Sequence, residues 1–202
     1  MGPFILIVAV LILAAILWFI KPVKRGSSNV DKKFWLFYAG PENYLDENGE
    51  RDYKGEILWS CESGTRKGDL ILLYRKSINQ LTVNGLIRRF KMTREVAQVI
   101  KKNRIGKDIP ALWQVVSNSK RKLLWGWPYG CYVRELQKLN PPVSLEELKA
   151  VPELKRWKSL RWNFRATGRS ALEIPPFAWK ILLETIERKC RVNINEQGPN
   201  AA

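Results

Sequence analysis

The first apolar run of the chain is long and unbroken, whereas the later apolar runs are short and alternate with polar residues. Residues 3–20 contain no charged or strongly polar side chain. At about 1.5 Å of rise per residue, a helix of this length covers most of the ~30 Å hydrocarbon core of a bilayer. The pair Trp18-Phe19 ends the run, and three cations follow within residues 21–25. This order predicts a transmembrane anchor over residues 1–21, with the following chain in the cytoplasm, because basic flanks stay there.

A cleaved signal peptide is the main alternative for this apolar run. Such a peptide has basic residues before a shorter apolar core, and a small-residue cleavage site after it. No basic residue precedes Pro3, and Lys21-Pro22 stands where small residues would be required. These departures favour a single-pass membrane protein whose globular part is cytoplasmic.

The rest of the chain divides into three segments by composition. Residues 22–32 are polar and contain glycine and serine, which is typical of a short linker. Residues 33–190 carry regular apolar runs and predict one globular domain. Residues 191–202 are polar and predict a frayed tail.

Short apolar runs bounded by turn residues predict the strands of this domain. The predicted strands cover residues 34–38, 57–60, 70–74, 81–90, 111–116 and 130–139, and Pro141-Pro142 is expected to break the chain after the last one. Asn84-Gly85 lies inside the fourth run and predicts a bulge or a tight bend there.

Capping residues predict the helices. Thr93 can cap a helix to about Asn103, with Val96, Val99 and Ile100 on one face. Ser144 and Glu147 form a capping-box pattern, residues 152–160 favour a second short helix, and Pro175-Pro176 opens a last helix to about Lys189. Because the strands come mostly first, the order predicts an α+β fold with a mixed or barrel-like sheet.

The net charge of the chain indicates what kind of partner it binds. The chain has 35 Lys and Arg against 19 Asp and Glu, a formal net charge of +16. Such an excess predicts attraction to polyanions, either nucleic acid or anionic lipid headgroups. The three cysteines, Cys61, Cys131 and Cys190, are far apart, which argues against a disulfide framework.

Several kinds of chemistry are not indicated by the residues. The chain has no histidine, so the commonest general base and metal ligand is missing. Cys61 lacks an imidazole that could activate it, and buried cysteine is usually a small apolar filler. We therefore expect neither an enzyme, nor a metal site, nor a cofactor.

Nine tryptophans accompany the 35 cations. Cations bind phosphates without sequence preference, and aromatic faces stack on bases. Most of the tryptophans are expected in the core, because this side chain is usually highly buried. A few that reach a pocket would suffice for a nucleic-acid reader.

The order of several motifs resembles EVE domains, members of the PUA-like superfamily that also includes YTH and ASCH domains. The similar segments are Phe34–Phe37, Leu58–Cys61, Lys67–Tyr74, Val83–Ile87, Trp127–Val133, Leu139–Lys149, Leu160–Arg165 and Ile174–Pro176. The resemblance implies a PUA-like curved mixed β-sheet or barrel with surrounding helices. It also implies a pocket for a modified base in DNA or RNA, without catalysis.

The resemblance carries over to a few residues. Trp59 matches the aromatic wall of the base pocket in EVE and YTH domains, and Ser60 and Cys61 match neighbours that meet the base edge. Residues 38–41 read Tyr-Ala-Gly-Pro where the usual EVE opening is Lys-Ser-Glu-Pro, which removes a charge and the serine hydroxyl beside the pocket. Further pocket candidates are Trp125 and Trp127, and the phosphate-binding candidates are Arg66, Lys67, Lys120, Arg121, Lys122 and Arg161.

A second function remains open at this level. The fold could be kept and the base pocket lost, with the domain acting at a membrane surface or on a protein. The positive charge would then serve anionic lipid headgroups beside the anchor at residues 3–20, at about 1 kcal/mol per cation near the surface.

Overall fold

The computed structural model describes residues 32–121, 128–165 and 169–190. The predicted anchor at residues 3–20, the tail at residues 191–202, and Lys122, Trp125 and Trp127 lie outside these ranges. No helix within the described ranges is long and apolar enough to cross a membrane. The anchor and the three candidate residues stay predictions.

Strands and helices alternate along the described residues, and the longest elements are the strand over Tyr129–Ser144 and the last helix, Pro176–Cys190. The strands are β1 (Phe34–Ala39), β2 (Leu45–Asp46), β3 (Gly49–Glu50), β4 (Glu56–Cys61), β5 (Leu70–Arg75), β6 (Asp108–Val115), β7 (Lys120–Arg121), β8 (Tyr129–Ser144) and β9 (Ala171–Glu173). The helices are α1 (Pro41–Tyr44), α2 (Val83–Phe90), α3 (Arg94–Lys102), α4 (Leu145–Ala150), α5 (Lys158–Arg161) and α6 (Pro176–Cys190), with a 3₁₀ helix over Pro152–Arg156.

The main sheet is mixed. Its strand order is β4-β8-β6-β5-β1-β9, and β7 pairs with β8. β1 and β5 run parallel, with Phe34 opposite Leu70, whereas the other pairs in this sheet are antiparallel. The α+β class with a mixed sheet, as predicted from the order of the runs, is confirmed.

The sheet is curled into a half-barrel, so that its two outer strands approach each other. Glu62 directly follows β4, and its Oε1 accepts hydrogen bonds from the backbone N and the Oγ of Ser170, at 3.0 Å each, just before β9. These strands stand at opposite ends of the strand order. The opening between them is where the candidate site lies.

Alternate residues of each strand enter two separate cores. On β1, Trp35 and Phe37 join a cluster with α2 and α3, while Leu36 joins a cluster with α4, α5 and α6. This division follows from the two-residue period of a strand, which sends successive side chains to opposite faces. Burial on both faces explains why the runs over residues 34–38 and 70–74 are continuously apolar.

The predicted strand over residues 81–90 is wrong, because this segment contains helix α2. The Oγ1 of Thr82 accepts a hydrogen bond from the backbone N of Gly85 at 3.0 Å and caps the helix. Leu86 is buried, whereas Arg88 and Arg89 are exposed, so one face packs and the other is solvated. Asn84-Gly85, which suggested a bulge, lies in the first turn.

The predicted break at Pro141-Pro142 is also wrong, because β8 continues to Ser144. The ladder between β6 and β8 shifts register between Ile109 and Ala111, opposite these prolines. A bulge of this kind lets proline, which has no N–H to donate, remain within a strand.

The predictions from capping residues are confirmed at their N-caps. Thr93 Oγ1 accepts from the backbone N of Val96 at 3.3 Å, and Ser144 and Glu147 form the reciprocal capping box. The apolar face of α3 was assigned incorrectly in one position, because Val99 is 56% exposed while Ile100 is buried. Packing uses a narrower face than the apolar pattern suggests.

Candidate functional site

A cavity of about 580 Å³ opens at the edge strand β4, beside the carboxyl end of β1. It is lined by Tyr38, Gly40, Glu42, Asn43, Arg51, Tyr53, Ile57, Leu58, Trp59, Ser60, Lys76, Arg169 and Ser170. The lining therefore includes four consecutive residues of β4 and the two residues that precede β9. A volume of this size is in the range of small-ligand sites.

The backbone of β4 is part of the cavity wall. Within the described part of the chain, β4 pairs with β8 only, so it is an edge strand. Alternate N–H and C=O groups of an edge strand point away from its partner and remain able to form hydrogen bonds. A planar ligand with polar edge atoms could pair with these groups, as a base does with another base.

Trp59 closes the inner end of the cavity but is mostly a core residue. It is 7% exposed, and its ring stands edge-to-face to Tyr53 at 6.0 Å and to Trp113 at 5.7 Å between centroids. Tyr53 also packs edge-to-face on Trp113 at 5.2 Å. The ring of Trp59 is thus held in place by two neighbouring aromatic rings.

Tyr38 forms an aromatic wall at the end of β1. Its ring packs edge-to-face on Tyr74 at 6.4 Å, and Lys76 Nζ lies 5.7 Å from its centroid. Burial raises the pKa of Tyr38 to about 12, although the charge of Arg169 lowers it in part. The phenol therefore stays protonated at neutral pH and can donate a hydrogen bond.

Tyr53 supplies a second protonated phenol. Burial raises the pKa of Tyr53 to about 12, while the charge of Arg51 works in the opposite direction. The cavity thus combines aromatic surface with two hydroxyl donors.

The charges around the cavity are mainly positive. Arg51, Lys76 and Arg169 contribute three cations, and Glu42 is the acid among the lining residues. Glu42 forms an ion pair with Arg89 on α2, so its charge is largely compensated. None of the three cations forms an ion pair with an acid within the described residues. The net field favours a ligand that carries phosphate or another anion.

The sequence candidates for the base pocket are only partly brought together. Trp59 and Ser60 line the cavity, whereas the side chain of Cys61 is 1% exposed and belongs to the first core. Cys61 lies opposite Tyr129 and points to the same inner face as Trp59, where it packs among core side chains and is not part of the cavity lining. The role of Trp59 and Ser60 in binding stays a prediction.

The phosphate-binding candidates within the described residues are not among the side chains that line the cavity. Arg66 and Lys67 are exposed in the turn before β5, and Lys120 and Arg121 form β7. The two segments are close, because Lys67 N donates to Asn118 Oδ1 at 2.9 Å and Ser119 N donates to Thr65 O at 3.0 Å. Arg161 is exposed at the end of α5, on the side of the second core, and does not join them.

Sequence reasoning missed several side chains that line the cavity. They are Tyr38, Arg51, Tyr53, Lys76 and Arg169. Parallel pairing places Ala39 opposite Arg75, so Tyr38 and Lys76 meet at the same sheet edge. This pairing is visible only in the structure, and nothing in the order of residues linked either side chain to Arg169.

A second ionic cluster lies outside this cavity and has a structural explanation. The guanidinium of Arg75 donates two hydrogen bonds of 2.7 Å to the carboxylate of Asp108, and it also pairs with Glu50. Burial by itself lowers the pKa of Arg75, but the hydrogen bonds and charges of Asp108 and Glu50 outweigh it and raise that pKa. This network joins β3, β5 and β6 through the buried guanidinium of Arg75.

The described residues contain no group of three or more His, Cys, Asp or Glu side chains that could hold a metal ion. The cavity lining supplies aromatic rings, hydroxyl groups and cations, which can stack on a ligand, hydrogen-bond to it and neutralise its charge.

Comparison with known proteins finds similarity in structure only. No protein-family model matches the sequence, and no curated protein matches it. Protein Rpa0253 from Rhodopseudomonas palustris is 14% identical with a TM-score of 0.48, over 76% of this chain and 92% of that one. Protein Atu2648 from Agrobacterium tumefaciens is 16% identical with a TM-score of 0.48, over 78% and 92%.

A third similar structure is the human THYN1 protein, which was solved in complex with DNA that contains 5-methylcytosine. It is 12% identical to this chain with a TM-score of 0.46, over 77% of this chain and 98% of that one. At these levels the similarity carries no argument about the function of this chain.

Proposed function

We propose that this protein is a PUA-like binding module of the EVE type, which holds one modified base of DNA or RNA in the cavity beside Trp59. The observation that carries the proposal is the composition of this cavity. It places the backbone edge of β4 next to aromatic side chains and a net positive charge. The motif order described from the sequence leads to the same proposal.

The proposed binding mode uses each part of the lining for one part of a nucleotide. The base enters with its polar edge toward the backbone of β4 and its ring against Tyr38, Tyr53 and Trp59. The phenols of Tyr38 and Tyr53 donate hydrogen bonds to ring or exocyclic acceptors, since both remain protonated. Lys76, Arg51 and Arg169 hold the flanking phosphates at the cavity mouth.

A base inside a duplex cannot reach such a cavity, so the ligand must be single-stranded or flipped out of its stack. We propose binding without catalysis. A reading module needs only stacking, edge pairing and charge neutralisation, and the lining supplies all three.

A binding titration tests the proposal. The full-length chain, purified in a mild non-ionic detergent, is titrated with single-stranded oligonucleotides that carry one modified or one plain base. The first modified base is 5-methylcytosine, chosen because the human THYN1 protein was solved with it. We expect tighter binding of at least one modified oligonucleotide than of its plain counterpart.

The matched variants are Tyr38→Phe and Tyr53→Phe, which keep the rings and remove the hydroxyls. We expect each to reduce the preference for the modified base more than it reduces binding of the plain oligonucleotide. If a panel of modified bases shows no preference over plain bases, the base-reading proposal is rejected.

We further propose that residues 3–20 hold the protein in a membrane, with the domain on the cytoplasmic side. The support is the unbroken apolar run and the three cations after it. Extraction of cell membranes at high pH separates peripheral from integral proteins. Release of the chain into the soluble fraction would contradict the anchor, and protease protection of the domain in inverted vesicles would contradict its orientation.

A further inference from the structure

Two exposed apolar side chains lie opposite each other on the outer side of the sheet, which faces away from the first core. Leu58 on β4 and Tyr132 on β8 are cross-strand partners and are 56% and 48% exposed. The next pair, Trp59 and Cys131, points to the inner side and is buried. The inner side of these two strands is therefore packed, whereas the outer side presents an aromatic ring and a leucine to solvent.

The helices of the second core do not cover this part of the sheet. They pack on Leu36, Leu72 and Leu112 of β1, β5 and β6, and the second core includes neither Leu58 nor Tyr132. Within the described residues, the outer side of β4 and of the first half of β8 is thus an uncovered sheet surface.

Cations surround this pair. Arg134 is the next outward residue on β8, and Lys120 pairs with Gly130, two residues before Tyr132. Lys67 lies with Arg134 along a shallow groove that runs from the turn before β5. We call Leu58, Tyr132, Lys67, Lys120 and Arg134 the outer platform.

The platform has a clear charge preference. Its three cations are exposed, and none forms an ion pair with an acid in the described parts of the chain. Glu56 on β4 lies opposite Arg134 and lines the same groove, so three cations stand against one acid here. A surface that combines an exposed aromatic ring with a net positive charge matches the bases and phosphates of a polynucleotide.

We propose that the outer platform binds a single-stranded nucleic acid, with a base stacked on Tyr132 and Leu58 and phosphates held by Lys67, Lys120 and Arg134. A single strand is required because bases in a duplex are stacked on each other and cannot lie on a sheet face. The proposal rests on the proposed function in one respect: Leu58 also lines the cavity, so both sites share β4. A strand that places one base in the cavity crosses β4 and continues over the platform.

The test separates the platform from the cavity. The full-length chain is titrated with short single-stranded DNA and RNA of one plain sequence, with the same DNA as a duplex, and with single strands that carry one modified base. We expect Tyr132→Ala to weaken binding of plain single strands about five- to a hundredfold, whereas Tyr132→Phe keeps the ring and binds normally. Comparison of the DNA and RNA affinities shows which polymer the platform prefers.

The charge of the platform is tested by replacing Lys67, Lys120 and Arg134 together with Gln. Since each phosphate contact on a single strand adds about 0.7 to the salt slope, we expect the slope of log affinity against log salt to fall by about two. The control variant replaces Arg88, Lys91 and Arg94 with Gln and so removes the same amount of charge elsewhere. These three exposed residues lie on α2, between α2 and α3, and at the start of α3. Melting temperatures confirm that all variants are folded.

The outcomes distinguish the two proposals. Loss of plain-strand affinity in the platform variants, with an unchanged ratio between modified and plain bases, supports the platform even if no modified base is preferred. The platform would be overturned if Tyr132→Ala and the triple variant bound oligonucleotides normally, or if the control variant lost as much affinity as the triple variant. It would also be overturned if the platform variants lost binding to anionic vesicles, or lost self-association, while their oligonucleotide binding was unchanged.

Discussion

The carboxylate of Glu62 joins the two edges of the curled sheet by accepting hydrogen bonds from Ser170. Both the backbone N and the Oγ of Ser170 lie 3.0 Å from Glu62 Oε1, and Ala171 N lies at 3.4 Å. Ser170 is 6% exposed and lines the cavity beside Arg169. One carboxylate thus holds the cavity mouth at a defined width.

Replacement of Glu62 by Ala is expected to destabilise the fold and weaken ligand binding together. The backbone N of Ser170 and of Ala171 would lose their acceptor, which costs about 1–3 kcal/mol of unfolding free energy. Urea unfolding measures this loss. Glu62→Gln keeps an amide oxygen as acceptor, and we expect it to retain most of the stability; an equal loss in both variants would contradict the hydrogen-bond explanation.

Gly106 is expected to tolerate no side chain. Its φ is +100°, and a Cβ at this position would lie 2.5 Å from the carbonyl O of Lys76, a residue that lines the cavity. We expect Gly106→Ala to lower the unfolding free energy by more than about 2 kcal/mol, because backbone strain and a clash add.

Gly55 is the matched control for this substitution. Its φ is +74°, but an added Cβ meets no atom within 4 Å. Gly55→Ala should therefore cost only the backbone strain, about 1 kcal/mol. Similar losses at both positions in urea unfolding would show that the close approach to Lys76 has no energetic effect.

Stability is expected to decrease above pH 10. Burial raises the pKa of Tyr38 and of Tyr53 from 10.0 to about 12, so the unfolded chain loses these protons first. The native state then binds more protons than the unfolded state, and the unfolding free energy falls as pH rises from about 10 to 12. Below pH 10 the contribution is fully present.

The double variant Tyr38→Phe, Tyr53→Phe isolates this contribution. We expect its unfolding free energy to depend less steeply on pH than that of the wild type in this interval, since two shifted groups are removed. Urea unfolding at several pH values measures the slope. Parallel pH profiles for variant and wild type would contradict the burial of these two phenols.

The cations at the cavity mouth are expected to set the affinity for single strands. Replacement of Lys76 and Arg169 by Gln should weaken binding about ten- to thirtyfold near 0.1 M salt, because two phosphate contacts are lost. Lys155 and Lys158 are exposed on the 3₁₀ helix and α5, away from the cavity lining, and their replacement by Gln is the control. A similar loss in the control would assign the effect to net charge alone.

Local features of the domain were predictable from the sequence wherever short-range chemistry decides them. Thr93 and Ser144 begin helices because their side chains accept hydrogen bonds from residues three positions later. The runs over residues 34–38 and 70–74 form strands because both faces of the central sheet are buried. Residues 81–90 were misassigned, since the apolar run was read as continuous although only one helical face packs.

The excess of cations and the long apolar run at residues 3–20 are likewise properties of the sequence. The net charge of +16 depends on composition alone, and the run at residues 3–20 depends on local apolarity alone. Neither requires knowledge of which residues meet in space.

Only the tertiary structure decided where the cavity lies and which side chains line it. Tyr38, Arg51, Trp59 and Arg169 come from distant parts of the chain, and they meet because the sheet curls until Glu62 reaches Ser170. Curling is a sum of twist over many strand pairs, so no local pattern encodes it. Cys61 is buried and Tyr132 is exposed because successive side chains of a strand point to opposite faces. Which side chains of β4 and β8 share a face was known only from the register between these strands.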